Sequence, residues 1–168
     1  VVFVLLGFLT GWLYWLPHQV ARETRNDWVT IQKKYDAYPK VKIEQHEIKY
    51  DIRGEKILAR SVISVRNSNL FRVDSVIFYL NPSLEVTGVT AGSHNVNFTR
   101  NQQIVVIEKS LHPDERCELD LSYSGAIDPR ICYLDISPER YDEQEQDELF
   151  ACYGKRFVFT GKDFTLLT

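Results

Sequence analysis

Between Val41 and Gly125 the apolar residues recur at every second position, in short blocks broken by turn-forming residues. This period of two narrows the available folds more than any other feature, because successive side chains of a strand point to opposite faces. In IEQHEIKYDI, His46, Ile48, Tyr50 and Ile52 share one face, with Glu47, Lys49 and Asp51 opposite. Arg53-Gly54-Glu55 is a turn signal. In ILARSVISVRN, Ile57, Ala59, Ser61, Ile63 and Val65 alternate against Leu58, Arg60, Val62, Ser64 and Arg66, and Asn67-Ser68-Asn69 ends the block. VDSVIFYLNP reads as a buried strand stopping at Asn81-Pro82. LEVTGVTAG and NVNFTRN predict a hairpin around Gly92-Ser93-His94, and QQIVVIEK is a short β-branched strand. ERCELDLSYSG places Cys117, Leu119, Leu121 and Tyr123 inward and Glu118, Asp120 and Ser122 outward. About seven strands joined by short turns, with no helical period between them, predict a mainly β fold: an antiparallel β-sandwich or curved sheet pair. The expected core includes Ile48, Ile63, Val65, Ile77, Val105, Ile107, Leu119 and Leu121.

The amino-terminal end is different. Residues 1–21 carry no formal charge, and Arg22 is the first charged residue. From Val1 to Leu16 only Gly7, Thr10 and Gly11 interrupt the apolar run, which at helical rise spans about 24 Å against a hydrocarbon core of about 30 Å. Trp12, Tyr14 and Trp15 cluster where an interfacial aromatic belt would sit, and Pro17 follows. Three readings are open: the last part of a transmembrane helix, a signal peptide, or a buried core helix. A signal peptide would need a basic n-region and a small-x-small cleavage site. The run has no polar stripe, which argues against a surface amphipathic helix. The transmembrane reading is the one adopted. It makes the membrane a partner through residues 1–21. The chain has no Met, so it is expected to be part of a longer protein.

Residues 22–40 read as a juxtamembrane helical linker. Asn26 or Asp27 is the expected cap of a helix whose face carries Trp28, Ile31, Tyr35 and Tyr38, with Pro39 ending it. The β-domain is assigned to residues 41–127. Residues 128–168 read as an irregular extension, with short strand candidates in ICYLDI and KRFVFTG on either side of an acidic stretch.

A net charge of −3 gives no electrostatic reason to expect a nucleic-acid partner. His18, His46, His94 and His112 have neither the i, i+4 spacing nor the H-E-x-x-H context of a zinc site. His94 and His112 are expected in solvent and His46 at the core boundary. No P-loop, G-x-S-x-G or G-x-G-x-x-G is present. Cys117, Cys132 and Cys152 are too widely spaced for a Cys-x-x-Cys site, and one disulfide with an odd thiol is open to them. Asp135, Glu139, Asp142, Glu143, Glu145, Asp147 and Glu148 lack the Asx spacing and Gly of a calcium loop and read as a solvated face. Asn97-Phe98-Thr99 fits a glycosylation sequon but is read as strand. No catalytic, cofactor-binding or metal-binding residue is assigned.

The order of pieces from about Lys33 to Gly125 resembles the N-terminal domain of zinc aminopeptidases of the aminopeptidase N type. The matching features are the Tyr50-Asp51 pair, SVISVRN ending at Asn67, and FYLNPSLEVTGV with Asn81. The GSHNVNF hairpin, the IVVI strand before Leu111 and Pro113, and LDLSYSG complete the set. Together with the apolar run and QKKYDAYPKVKI, the chain is also similar to bacterial membrane proteins that fuse an ABC-transporter permease-like region to an aminopeptidase-like module. The resemblance implies a non-catalytic domain that supports a following peptidase domain, with zinc held there and not in this segment. It implies as partners that downstream domain and peptide substrate or transporter subunits, and the similarity to the fused membrane proteins implies a β-domain on the extracytoplasmic side. The rival implication is a binding or assembly module of a permease whose peptidase-like part is inactive. The family's H-E-x-x-H and Gly-x-Met-Glu-Asn motifs are absent from the sequence, so no catalytic residue is carried over.

Overall fold

The structure is a computed structural model describing residues 12, 20, 22–128 and 131. The apolar run other than Trp12, His18, Cys132, Cys152, the acidic stretch, KRFVFTG and all of ICYLDI but Ile131 lie outside the described residues. A helix, α1, covers residues 22–36. Eight strands follow: β1 (Lys42–Arg53), β2 (Lys56–Arg66), β3 (Val76–Tyr79), β4 (Leu84–Ala91), β5 (His94–Asn95), β6 (Phe98–Asn101), β7 (Ile104–Ile107) and β8 (Arg116–Gly125). They form two antiparallel sheets, one ordered β1-β2-β8-β4-β5 and one ordered β3-β7-β6. The mainly β, two-sheet antiparallel fold expected from the alternation is therefore observed.

The alternation decides which faces meet. Across the wider sheet Ile63 pairs with Leu119, Ser61 with Leu121 and Ala59 with Tyr123. These side chains all point to the smaller sheet, which returns Val76, Phe78, Val105 and Ile107. Ile63, Leu119 and Leu121 are fully buried. The Tyr123 and Ser61 hydroxyls share a buried hydrogen bond of 2.9 Å, so the core's polar pair is satisfied.

Four expectations are corrected. Ile77 is only half-buried, because Val76 and Phe78 on either side of it face the core. Ile48 is also half-buried, since β1 is the edge of the wider sheet. NVNFTRN does not complete a hairpin with β4: only His94–Asn95 pairs there, and the chain then crosses so that Phe98–Asn101 joins β7 in the other sheet. Asn26 and Asp27 do not cap α1. They lie inside it, and the Thr30 hydroxyl donates to the Asn26 carbonyl at 2.8 Å within the continuing helix. Among the described residues no helix is long and apolar enough to cross a membrane.

Helix α1 lies on the smaller sheet, held by the β6–β7 turn. Trp28 is buried, its indole N–H donates to Gln102 Oε1, and its carbonyl accepts from Gln103 Nε2 at 2.6 Å. Gln102 adopts a φ of 51°, the left-handed conformation that this two-residue turn between Asn101 and Ile104 requires. Tyr79 donates to Asp36 Oδ1 at 3.3 Å at the far end of the helix.

Candidate functional site

The start of β4 and strand β6 bound an open groove of about 580 Å³, lined by Pro82, Ser83, Leu84, Glu85, Val86, Phe98, Arg100 and Gln102. Arg100 is placed there by register. It pairs with Val105, so its side chain starts on the core-facing side of the smaller sheet, at that sheet's edge. Its Nη2 donates to the carbonyls of Leu80 at 3.0 Å and Asn81 at 2.8 Å, and its buried Nη1 has no hydrogen-bond partner among the described residues. Burial lowers its pKa to about 10, which still leaves it charged at neutral pH. Among the described residues no His or Cys lines the groove, and neither Ser83 nor Glu85 has a base beside it there. The arrangement can hold a carboxylate or carbonyl group against an apolar wall. It holds no activated nucleophile.

The residues that carry the sequence resemblance are occupied in architecture. Asn67 is fully buried. Its Nδ2 donates to the carbonyls of Phe71 and Leu111, both at 2.9 Å, and its Oδ1 accepts from the Asn69 backbone N–H at 3.0 Å. Asn81 does the same work at the end of β3. Its Nδ2 donates to the Asp128 carbonyl at 2.8 Å, and its Oδ1 accepts from the backbone N–H groups of Ser83 at 3.2 Å and Asp128 at 3.1 Å. Asn81 therefore fixes where the chain leaves β8. The Tyr-Ser-Gly strand end has its own reason. Gly125 has a φ of 146°, and a Cβ there would lie 2.5 Å from the Ser83 carbonyl oxygen. Gly125→Ala is expected to cost about 2–3 kcal/mol through backbone strain and overpacking, read as a lowered urea midpoint at unchanged m-value.

The three described histidines, His46, His94 and His112, are not brought together. His94 and His112 are exposed, as expected, and His46 is half-buried on the inner face of β1. Burial lowers the His46 pKa from its ordinary 6.5. A depressed pKa means that the unfolded chain binds the proton more readily. The stability at stake is therefore present above pH 6.5 and lost as pH falls through the native value. The urea midpoint should drop between pH 7 and pH 5, and His46→Gln should flatten that part of the profile. Cys117 is a free, half-buried thiol whose pKa burial pushes up, the opposite of an activated nucleophile. Among the described residues no three His, Cys, Asp or Glu side chains gather as a metal site. Sequence reasoning missed Arg100 and Gln103. The only sequence signal for either is a polar residue falling at an inward or boundary position.

No protein-family model matches this chain, and no curated protein matches it. Solved structures do. A mutant M1 zinc metallopeptidase from Deinococcus radiodurans bound to a Tyr-Ser-Ala substrate is 17% identical over 54% of this chain and 22% of its own, with a TM-score of 0.46. An M1 zinc metallopeptidase from Deinococcus radiodurans is 16% identical over 52% of this chain and 21% of its own, with a TM-score of 0.46. A two-domain M1 zinc metallopeptidase mutant bound to L-tryptophan is 15% identical over 54% and 22%, again with a TM-score of 0.46. The chain thus spans 21–22% of the length of these structures. The activity named for those enzymes is a property of those enzymes.

Proposed function

We propose that this chain is the amino-terminal β-domain of a membrane-bound, aminopeptidase-like zinc protein, and that it supports the following peptidase domain without doing chemistry itself. One observation carries the reading. The residues that give the sequence its aminopeptidase-like pattern, Asn67, Asn81, Tyr123 and Gly125, are spent on holding strand ends, the core and the chain exit in place. The weight rests on those motifs and their structural reasons, not on the likeness to solved metallopeptidases. The described residues supply no ligand set for zinc, so zinc belongs, in this reading, to the domain that follows. The Arg100 groove would serve at most as a wall that meets a carboxylate or carbonyl of a neighbouring domain or peptide. Residues 1–21, uncharged and carrying Trp12, Tyr14 and Trp15 toward their carboxy-terminal end, would anchor the protein, with the β-domain on the extracytoplasmic side. No observation favours the permease-fusion alternative, and the structures reported above do not bear on it.

The experiment compares this chain with a polypeptide extended through the domain encoded downstream. The extended polypeptide should retain zinc and hydrolyse aminoacyl anilides in a chelator-sensitive way. An extended polypeptide that binds no zinc and turns over nothing would overturn the peptidase relationship.

A further inference from the structure

Among the described residues strand β1 is one of the two edge strands of the wider sheet, the other being the two-residue β5. Arg53 and Lys56 close a two-residue turn over Gly54 and Glu55, and Gly54 has a φ of 64°. In such a hairpin the closing pair exchanges both of its hydrogen bonds, and bonded pairs then alternate along the ladder. Arg53, Asp51 and Lys49 therefore turn their backbone groups toward β2. Ile48, Tyr50 and Ile52 turn theirs toward the open edge. The same residues place their side chains on the inner face, where Tyr50 is 66% and Ile52 is 63% exposed. Sheets normally blunt such an edge with Pro, bulges, short strands, inward charges or charged edge side chains, Lys above all; on β1 Lys49 and Arg53 are each balanced by a neighbouring acid, Glu47 and Asp51. Here the strand has twelve residues, its irregularity lies at Ile43/Gln45, and no Pro or inward charge falls between Ile48 and Arg53.

We infer that β1 is an assembly edge, through which two copies of this chain join antiparallel about a twofold axis at Tyr50. The occupant is argued from charge. With the axis at Tyr50, Glu47 faces Arg53 of the second copy and Lys49 faces Asp51, and each pair occurs twice by symmetry. On the inner face Ile48 meets Ile52 and Tyr50 meets its own mate. The backbone groups match as well, since residues with outward N–H and C=O face one another throughout. Sliding the axis to Lys49 sets Lys49 against itself and Glu47 against Asp51. Sliding it to Asp51 sets Asp51 against itself and Lys49 against Arg53. Both neighbouring registers meet like charges, so the strand is complementary to itself in the Tyr50 register. Within one copy Lys49 already pairs with Glu47 at 3.1 Å and Arg53 with Asp51 at 2.9 Å. The second copy extends these two pairs into a continuous ladder. This assembly is independent of the function proposed above.

The test uses the full chain in mild detergent, followed by sedimentation equilibrium, with circular dichroism confirming that each variant is folded. The chain should be a dimer at micromolar concentration. Lys49→Glu should weaken it about tenfold, because two attractive pairs become repulsive, and adding Asp51→Lys should restore it. In a background with Cys117, Cys132 and Cys152 replaced by Ser, Tyr50→Cys should oxidise to a disulfide-linked dimer, since facing Cα atoms lie about 5.5 Å apart. Ile48→Cys should not link to itself, its mate being about 13 Å along the strand, but should link to Ile52→Cys when the two are mixed. A monomer at all concentrations would overturn the inference. So would equal affinity for the single and swapped charge variants, or self-linking of Ile48→Cys. A monomer whose Ile48, Tyr50 and Ile52 amides resist exchange would overturn it in favour of the chain's own residues covering the edge.

Discussion

Trp28→Ala is expected to lower the unfolding free energy by about 3–5 kcal/mol, the largest effect of any single substitution considered. The indole is 3% exposed between α1 and the smaller sheet, and its N–H is the donor to Gln102 Oε1. Truncation leaves a cavity and removes the partner of Gln102, while the Gln103 bond to the residue 28 carbonyl survives. The loss should therefore fall on the attachment of α1 more than on the sheets. Hydrogen exchange resolved by residue is the discriminating measurement. Amides of residues 22–36 should exchange faster, while those of β2, β7 and β8 keep most of their protection. Equal acceleration everywhere would mean that α1 and the sheets unfold as one unit.

Leu121→Ala comes next, at about 2–5 kcal/mol. Leu121 is fully buried in β8, where it lies between Ser61 on β2 and Val89 on β4. Both neighbouring strands pair with β8, so the site has little freedom to collapse around the missing methyl groups. Leu121→Ile keeps the volume and should cost less than about 1.5 kcal/mol. Urea titrations of the three proteins, read at constant m-value, check the order.

The strands were legible where one face is wet. In β2 and β8 polar and apolar residues alternate, and the inward residues named from the sequence are the ones that face the smaller sheet; β1 alternates in the same way, but at the sheet edge its Ile48 is only half-buried and its Tyr50 and Ile52 are exposed. In β3 the signal fails. Val76, Phe78, Tyr79 and Leu80 are all buried, since the core covers one face and α1 the other, so no polar residue marks the outward side and Ile77 was placed inward. The path of NVNFTRN was illegible for another reason: nothing in a strand's own sequence says which sheet it joins. The expected cap at Asn26 or Asp27 follows a real preference that a helix already running through residue 22 overrides.

The candidate site was less legible than the fold. Asn67 and Asn81 look like strand breakers in sequence, and they do end strands. Their importance comes from partners at Leu111 and Asp128, 44 and 47 residues away. Arg100 falls on the inward side of a strand pattern, but its acceptors belong to the β3–β4 connection. Contacts at such separations depend on how the two sheets are stacked, which no local pattern encodes.

Zinc content after exhaustive dialysis, measured together with aminoacyl-anilide hydrolysis on this chain alone, tests the central claim most directly. If the domain serves as architecture, the folded chain retains no stoichiometric zinc and its turnover does not exceed the uncatalysed rate. One zinc per chain, with turnover abolished by a chelator, would contradict the account and place the chemistry in this chain.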